Sequence, residues 1–174
     1  MRCSALCPST RCTLVLAAAL AVPRPGAADA LWEAELRAGY GISVGGAGEQ
    51  MSARATPLTI EASVSFAFNE DPPLAGYGGF TVETLDRNSV GAVGGIILTP
   101  HDSHLRIAAG GVYIFAPYTL WGASASLGLC FHVTSRTKLC SALEATAYFA
   151  GSDLPEGRTV TDGKLVLGLG FDAL

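Results

Sequence analysis

Residues 58–68, LTIEASVSFAF, put Leu58, Ile60, Ala62, Val64, Phe66 and Phe68 at one parity and Thr59, Glu61, Ser63, Ser65 and Ala67 at the other. Side chains of an extended chain point alternately to two faces, so this stretch is a strand with one apolar side and one polar side. A 3.6-residue stripe does not survive such alternation, which excludes a helix here. A water-soluble barrel turns the apolar side inward, whereas a membrane barrel turns it outward to lipid.

Seven further runs alternate in the same way: 31–44, 77–85, 89–99, 105–115, 120–132, 138–149 and 164–174, with the weakest alternation in 89–99. The total of eight is even, and each run is close to the roughly 9–11 residues that a tilted strand needs to cross a bilayer. Of the 21 glycines most sit inside these runs, as in GAVGGIIL and KLVLGLGF, where they mark curvature and close backbone approach. The fold expected is all-β, an eight-stranded antiparallel up-and-down transmembrane β-barrel.

The barrel is expected over 31–174, because residues 1–30 read as a cleaved signal peptide. Arg2 and Arg11 are followed by the apolar stretch TLVLAAALAV and the small-x-small site Ala28-Asp29-Ala30. Removing Arg2, Arg11, Arg24 and Asp29 leaves 8 basic and 14 acidic residues, a net charge of −6 that argues against a nucleic-acid partner. Three of the five cysteines leave with the leader. Cys130 and Cys140 remain, in a chain bound for an oxidising compartment. They stand symmetrically about Ser135 in CFHVTSRTKLC, so a tight turn there sets them opposite each other at the same parity, and a cross-strand disulfide is expected.

The polar parity decides which face is wet. It is mostly Gly, Ser, Ala and Thr with isolated charges, a poor water-exposed surface but a suitable lining for a lumen that eight strands leave barely wide enough for side chains. With both termini on the periplasmic side, Trp32, Phe66, Phe68, Tyr77, Phe131 and Phe171 fall near one end of their strands. Tyr40, Tyr113, Phe115, Tyr118, Trp121, Tyr148 and Phe149 fall near the other, and Phe80 alone lies mid-strand. These are read as two aromatic belts at the membrane interfaces. Lipid is the expected outer solvent.

On this pattern the sequence resembles the small eight-stranded outer-membrane barrels of Gram-negative bacteria, the group that includes the OmpA-type barrel domain. The resemblance covers 31–174 and implies a C-terminal signal for the barrel-assembly machinery. KLVLGLGFDAL matches that signal at Lys164, Gly168 and Phe171 and departs from it at Ala173 and Leu174, where a terminal Phe would stand.

The luminal parity carries Glu33, Glu35, Arg37, Glu61, Glu83, Arg106, Glu144, Lys164 and Asp172, which in so narrow a space must pair. An interior salt-bridge network that plugs the barrel is the expected arrangement, and a gate that re-pairs Arg37, Arg106 or Lys164 is the alternative. His101, His104 and His132 gather at one end. A metal site would need His104 to face His132, but turn histidines are ordinarily solvated, so no metal or cofactor is expected. FHVTS resembles the His-x-Ser of outer-membrane lipid A deacylases, but His132 has the wrong end and face, so no catalytic residues are assigned.

The longest outer connections are 45–57 and 150–163. With Glu49, Arg54, Asp153, Glu156, Arg158 and Asp162 they offer the exterior contact surface, while those near Arg87-Asn88 and Pro117-Tyr118 are short. The reading is a monomeric, non-enzymatic outer-membrane barrel of structural or surface-interaction role, with lipid and the assembly machinery as its partners. A narrow ion or small-solute channel is the first alternative, and a secreted, soluble, lipocalin-like ligand-binding barrel the second.

Overall fold

The computed structural model describes residues 32–47, 50–70, 73–85, 88–100, 103–154 and 158–173. The leader, Glu49, Arg87, His101, Glu156 and Leu174 lie outside them. Every regular element among the described residues is a strand: β1 (Trp32–Ala47), β2 (Gln50–Ala55), β3 (Leu58–Glu70), β4 (Pro73–Thr84), β5 (Ser89–Leu98), β6 (Leu105–Ala116), β7 (Leu120–His132), β8 (Thr137–Gly151) and β9 (Thr159–Ala173). All pairings are antiparallel in one sheet: β1 pairs with both β2 and β3, each strand from β3 onward pairs with the next, and β9 returns to pair with β1 from Trp32↔Ala173 to Gly46↔Thr159, which closes the barrel.

Nine segments make eight staves, because β2 and β3 lie end to end along the same side of β1. Gly39 pairs with Thr59 but Ile42 pairs with Ala55, so one extra residue is accommodated at Thr56–Leu58. Pro57, which has no N–H to give a ladder, sits in that bulge. Thr56 spans it: its N–H donates to the Gly41 carbonyl (2.9 Å) and its Oγ1 accepts from the Gly41 N–H (2.7 Å). Gly41 is itself obligatory, since a side chain there would run into the Gly163 backbone of β9.

The apolar parity is on the outside. Leu36, Val64, Leu127 and Leu167 are 52, 40, 54 and 57% exposed, while Ser63, Glu35, Arg37, Glu61, Thr81, Glu83 and Lys164 are buried within. The inside is mixed along its length. Val93, Val112, Ile114, Leu120 and Tyr148 form an apolar cluster on β5–β8, joined by Tyr77, Tyr118 and Leu154.

Five expectations need correction, three for tyrosines and two for connections. Tyr77 does not belong to an outer belt: it pairs with inward Ser65 and packs on the inner cluster. Phe80 and Val82 face out, so the odd-numbered Tyr77 on the same strand faces in. Tyr148 is likewise buried inside, and Tyr118 turns inward to Glu83. The stretch 45–57 is a β-hairpin rather than a loop, and the connection expected over 150–163 shrinks to the residues between Gly151 and Thr159. Pairing of β2 with β1, and of the start of β9 with β1 and β8, draws most of both stretches into the sheet.

Candidate functional site

The outward aromatics sort by register. Toward the terminal end, where β1 starts and β9 finishes, lie Trp32 against Phe66, with Phe68, Phe131 and Phe171. Toward the far end lie Tyr40, Phe115, Phe149 and the stacked pair Tyr113–Trp121, whose ring centroids are 4.0 Å apart. Phe80 stands between them, flanked in register by Ala62 and Ala92.

Inside, the nine charges expected to form one network fall into separate groups. The central one is built on Arg37 of β1. Its Nη1 donates to Glu61 Oε1 on β3 (3.4 Å), its Nη2 to Glu144 Oε2 on β8 (3.1 Å), and its Nε is 3.9 Å from Glu35 Oε1. Arg106 of β6 reaches the same Glu35 oxygen across the lumen at 2.6 Å. To meet Glu144, the Arg37 side chain must pass over β9. Its register partner there is Gly168, where a methyl group would lie 2.8 Å from Glu35 Oε1 and 3.1 Å from Arg37 Cγ, so the glycine gives both side chains room against the wall. Two cations against three carboxylates in so enclosed a space are stabilised by this mutual contact. The spaces flanking the group, one beside Arg106 and the disulfide and one beside Glu61 and Lys164, each hold about 10 Å³, about one water's worth.

The other charges lie elsewhere. Glu83, nearer the far end, accepts from Ser89 Oγ (2.6 Å) and from the Tyr118 hydroxyl (3.3 Å). Lys164 is buried on the inner face and pairs in register with Glu144. Glu33 and Asp172 are at the terminal mouth, and both contact Lys138 (3.2 and 2.8 Å). Lys138 is a luminal residue that the sequence reading missed, and Asp162, expected on the exterior contact surface, is instead buried on the inner face. Parity alone would have found both, since Lys138 is two residues from Cys140 and Asp162 is two residues from Lys164.

Cys130 and Cys140 are register partners joined by a disulfide. The Cys130 N–H donates away from β8, to the His104 carbonyl (2.8 Å), so the pair occupies a non-hydrogen-bonded site where the Cβ atoms come close. His104 and His132 are not brought together: His104 lies against the Phe131 ring, and His132 Nε2 is 3.8 Å from Asp172 Oδ2. No group of three or more His, Cys, Asp or Glu side chains among the described residues is placed to hold a metal ion.

At the far end the two stretches read as contact loops form one surface. Gly45 pairs with Ser52 on one side and Val160 on the other, so the β1–β2 hairpin and the start of β9 are a single sheet carrying exposed Ser52, Arg54 and Arg158. Reciprocal bonds between Thr119 and Ser152 (3.0 Å from Thr119 N to Ser152 Oγ, 2.9 Å from Ser152 N to Thr119 O) fasten the β6–β7 turn to the β8–β9 connection.

No protein-family model and no curated protein matches the sequence. Among solved structures the chain is similar to Neisserial surface protein A, with TM-score 0.51 and 11% identity over 82% of this chain and 97% of that one. It is also similar to Ail, the attachment invasion locus protein of Yersinia pestis, with TM-score 0.48 and 14% identity over 81% of this chain and 98% of that one. At such identity the likeness to the Neisserial protein is one of fold: that of the small eight-stranded outer-membrane barrels.

Proposed function

We propose that this chain is an integral outer-membrane barrel with a plugged lumen, whose structural or surface-interaction role is exercised by the sheet at its far end. The observation that carries the reading is the inverted polarity of the wall. Large apolar side chains cover the outside from Trp32 to Tyr40 on β1, and their counterparts do so around the whole ring, while the middle of the inside is packed with buried ion pairs. Monomeric soluble proteins rarely expose contiguous apolar patches beyond a few hundred Å². A hydrocarbon solvent covers such a wall at no cost, and a closed barrel satisfies its own backbone there. The lipocalin-like alternative requires the opposite polarity.

Membranes washed in alkaline carbonate are therefore expected to retain the protein, with release only by detergent and a gel mobility that changes on boiling. Release by carbonate alone would remove the membrane reading. The surface role rests on orientation. A cysteine replacing exposed Ser52 on β2 is expected to react with a membrane-impermeant maleimide on intact cells. Labelling only after the outer membrane is permeabilised would place the far end inside and end the surface role.

Filling of the lumen around Arg37 supports a wall and platform over a conduit. Charged side chains pack where a solute path would run, and the flanking spaces each admit about one water.

A further inference from the structure

We infer that Lys138 is the latch that holds the first and last strands together at the terminal end of the barrel. Where β1 meets β9, Glu33 and Asp172 are register partners and both turn inward. Directly opposed side chains in an antiparallel pair have Cβ atoms about 4.5–5.5 Å apart, and like charges so placed repel. The closing seam therefore carries a built-in repulsion. Lys138 cancels it from one strand further away: its Nζ lies 3.2 Å from Glu33 Oε2 and 2.8 Å from Asp172 Oδ1, so one ammonium serves a carboxylate on each side of the seam.

The surroundings are arranged for that reach. Lys138 on β8 must cross β9 to touch β1, and its register partner on β9 is Gly170. A methyl group at Gly170 would come within 2.6 Å of Glu33 Oε1 and only into ordinary contact with Lys138 Cβ, so the glycine leaves the Glu33 carboxylate its place beside the crossing. The hairpin that presents Lys138 is anchored. His132 is its register partner, the disulfide pair Cys130–Cys140 is two residues along, and His132 Nε2 approaches Asp172 from the same hairpin. The turn of that hairpin also takes the Asp172 N–H on the Arg136 carbonyl (2.9 Å). The β7–β8 hairpin is a local structure, whereas β1 and β9 are the most distant strands in sequence, and closure entropy rises with the length of chain enclosed. A preformed, cross-linked hairpin thus holds β9 by its end and offers the charge that β1 needs in order to join. This role is independent of what the far end contacts.

The test uses the chain inserted in phosphatidylcholine vesicles and unfolded in urea, followed by the fluorescence of its tryptophans. Trp32 pairs with Ala173 across the same seam. Lys138→Met is expected to lower the folding equilibrium constant about tenfold, since two half-buried carboxylates are left facing each other. Lys138→Met with Asp172→Asn is expected to regain most of that loss, and Lys138→Arg to retain the parent behaviour. Added salt should narrow the gap between Lys138→Met and the parent by screening the repulsion. If Lys138→Met does not insert at all, recovery of insertion by the added Asp172→Asn supports the latch. A double variant no better than Lys138→Met, or Lys138→Met as stable as the parent, overturns it, because a lysine that served only by packing its stem would not be rescued by removing a carboxylate.

Discussion

Replacing Arg37 by methionine is expected to destabilise the barrel by about 3–5 kcal/mol, the range seen when one partner of a buried ion pair is removed and the other charge is left behind. Arg37 contacts Glu35, Glu61 and Glu144, carried on β1, β3 and β8. Without it, Arg106 remains on Glu35, but Glu61 and Glu144 lose their Arg37 contact inside a wall with no bulk water. Urea unfolding of the inserted chain should show the loss as a lower midpoint at unchanged slope. Adding Glu61→Gln and Glu144→Gln to Arg37→Met should restore a large part of it, since a neutral polar interior is less costly than a charged one lacking its cation. A midpoint within error of the parent would mean that the central group contributes nothing.

Leu36→Arg is expected to be nearly as severe, for the opposite reason. Leu36 faces outward, four residues from Trp32 and four from Tyr40, between Ala62 and Leu169 in register, which places it midway between the aromatic belts. An arginine on the lipid face at the bilayer midplane costs about 2–4 kcal/mol, falling to about 0–1 near the interfaces. Were the same face in water, the substitution would be an ordinary surface change of about ±0.5 kcal/mol. Comparing Leu36→Arg with Ile42→Arg, which lies beyond Tyr40, in vesicles should give a large depth-dependent difference. Equal, small effects would show that the wall meets water.

Much of this architecture is written in period-two alternation. Leu58 to Phe68 predicts both the strand and its faces, and the spacing of Cys130 and Cys140 about Ser135 predicts a register that the structure carries. Those signals are legible because a two-sided environment imposes a different chemistry at every second residue. The signal fades where that contrast fades. GGAGEQMSARATP carries no apolar alternation and reads as a loop, although backbone pairing of β2 to β1, and of Gly45 and Gly46 to β9, makes most of it strand. Tyr77 stands near a strand end, as belt aromatics do, but its parity turns it inward onto the apolar cluster. Grouping of the luminal charges depends on which strands neighbour each other around the ring and how far each side chain can reach. Local spacing says nothing of Lys138 crossing β9 to Glu33, or of Arg37 crossing it to Glu144, yet their register partners on β9 are the two glycines in the GLG of KLVLGLGF.

The uneven strand lengths give the barrel an oblique top. β1, β8 and β9 run for 16, 15 and 15 residues, whereas β4, β5 and β6 run for 12, 10 and 12. One flank rises as a parapet backed by β2, and the opposite flank ends low at a sill of two short connections. On the proposed orientation, with this end outward, a molecule arriving there meets a back wall and an open front, so any contact it makes has a fixed direction of approach relative to the plane of the bilayer.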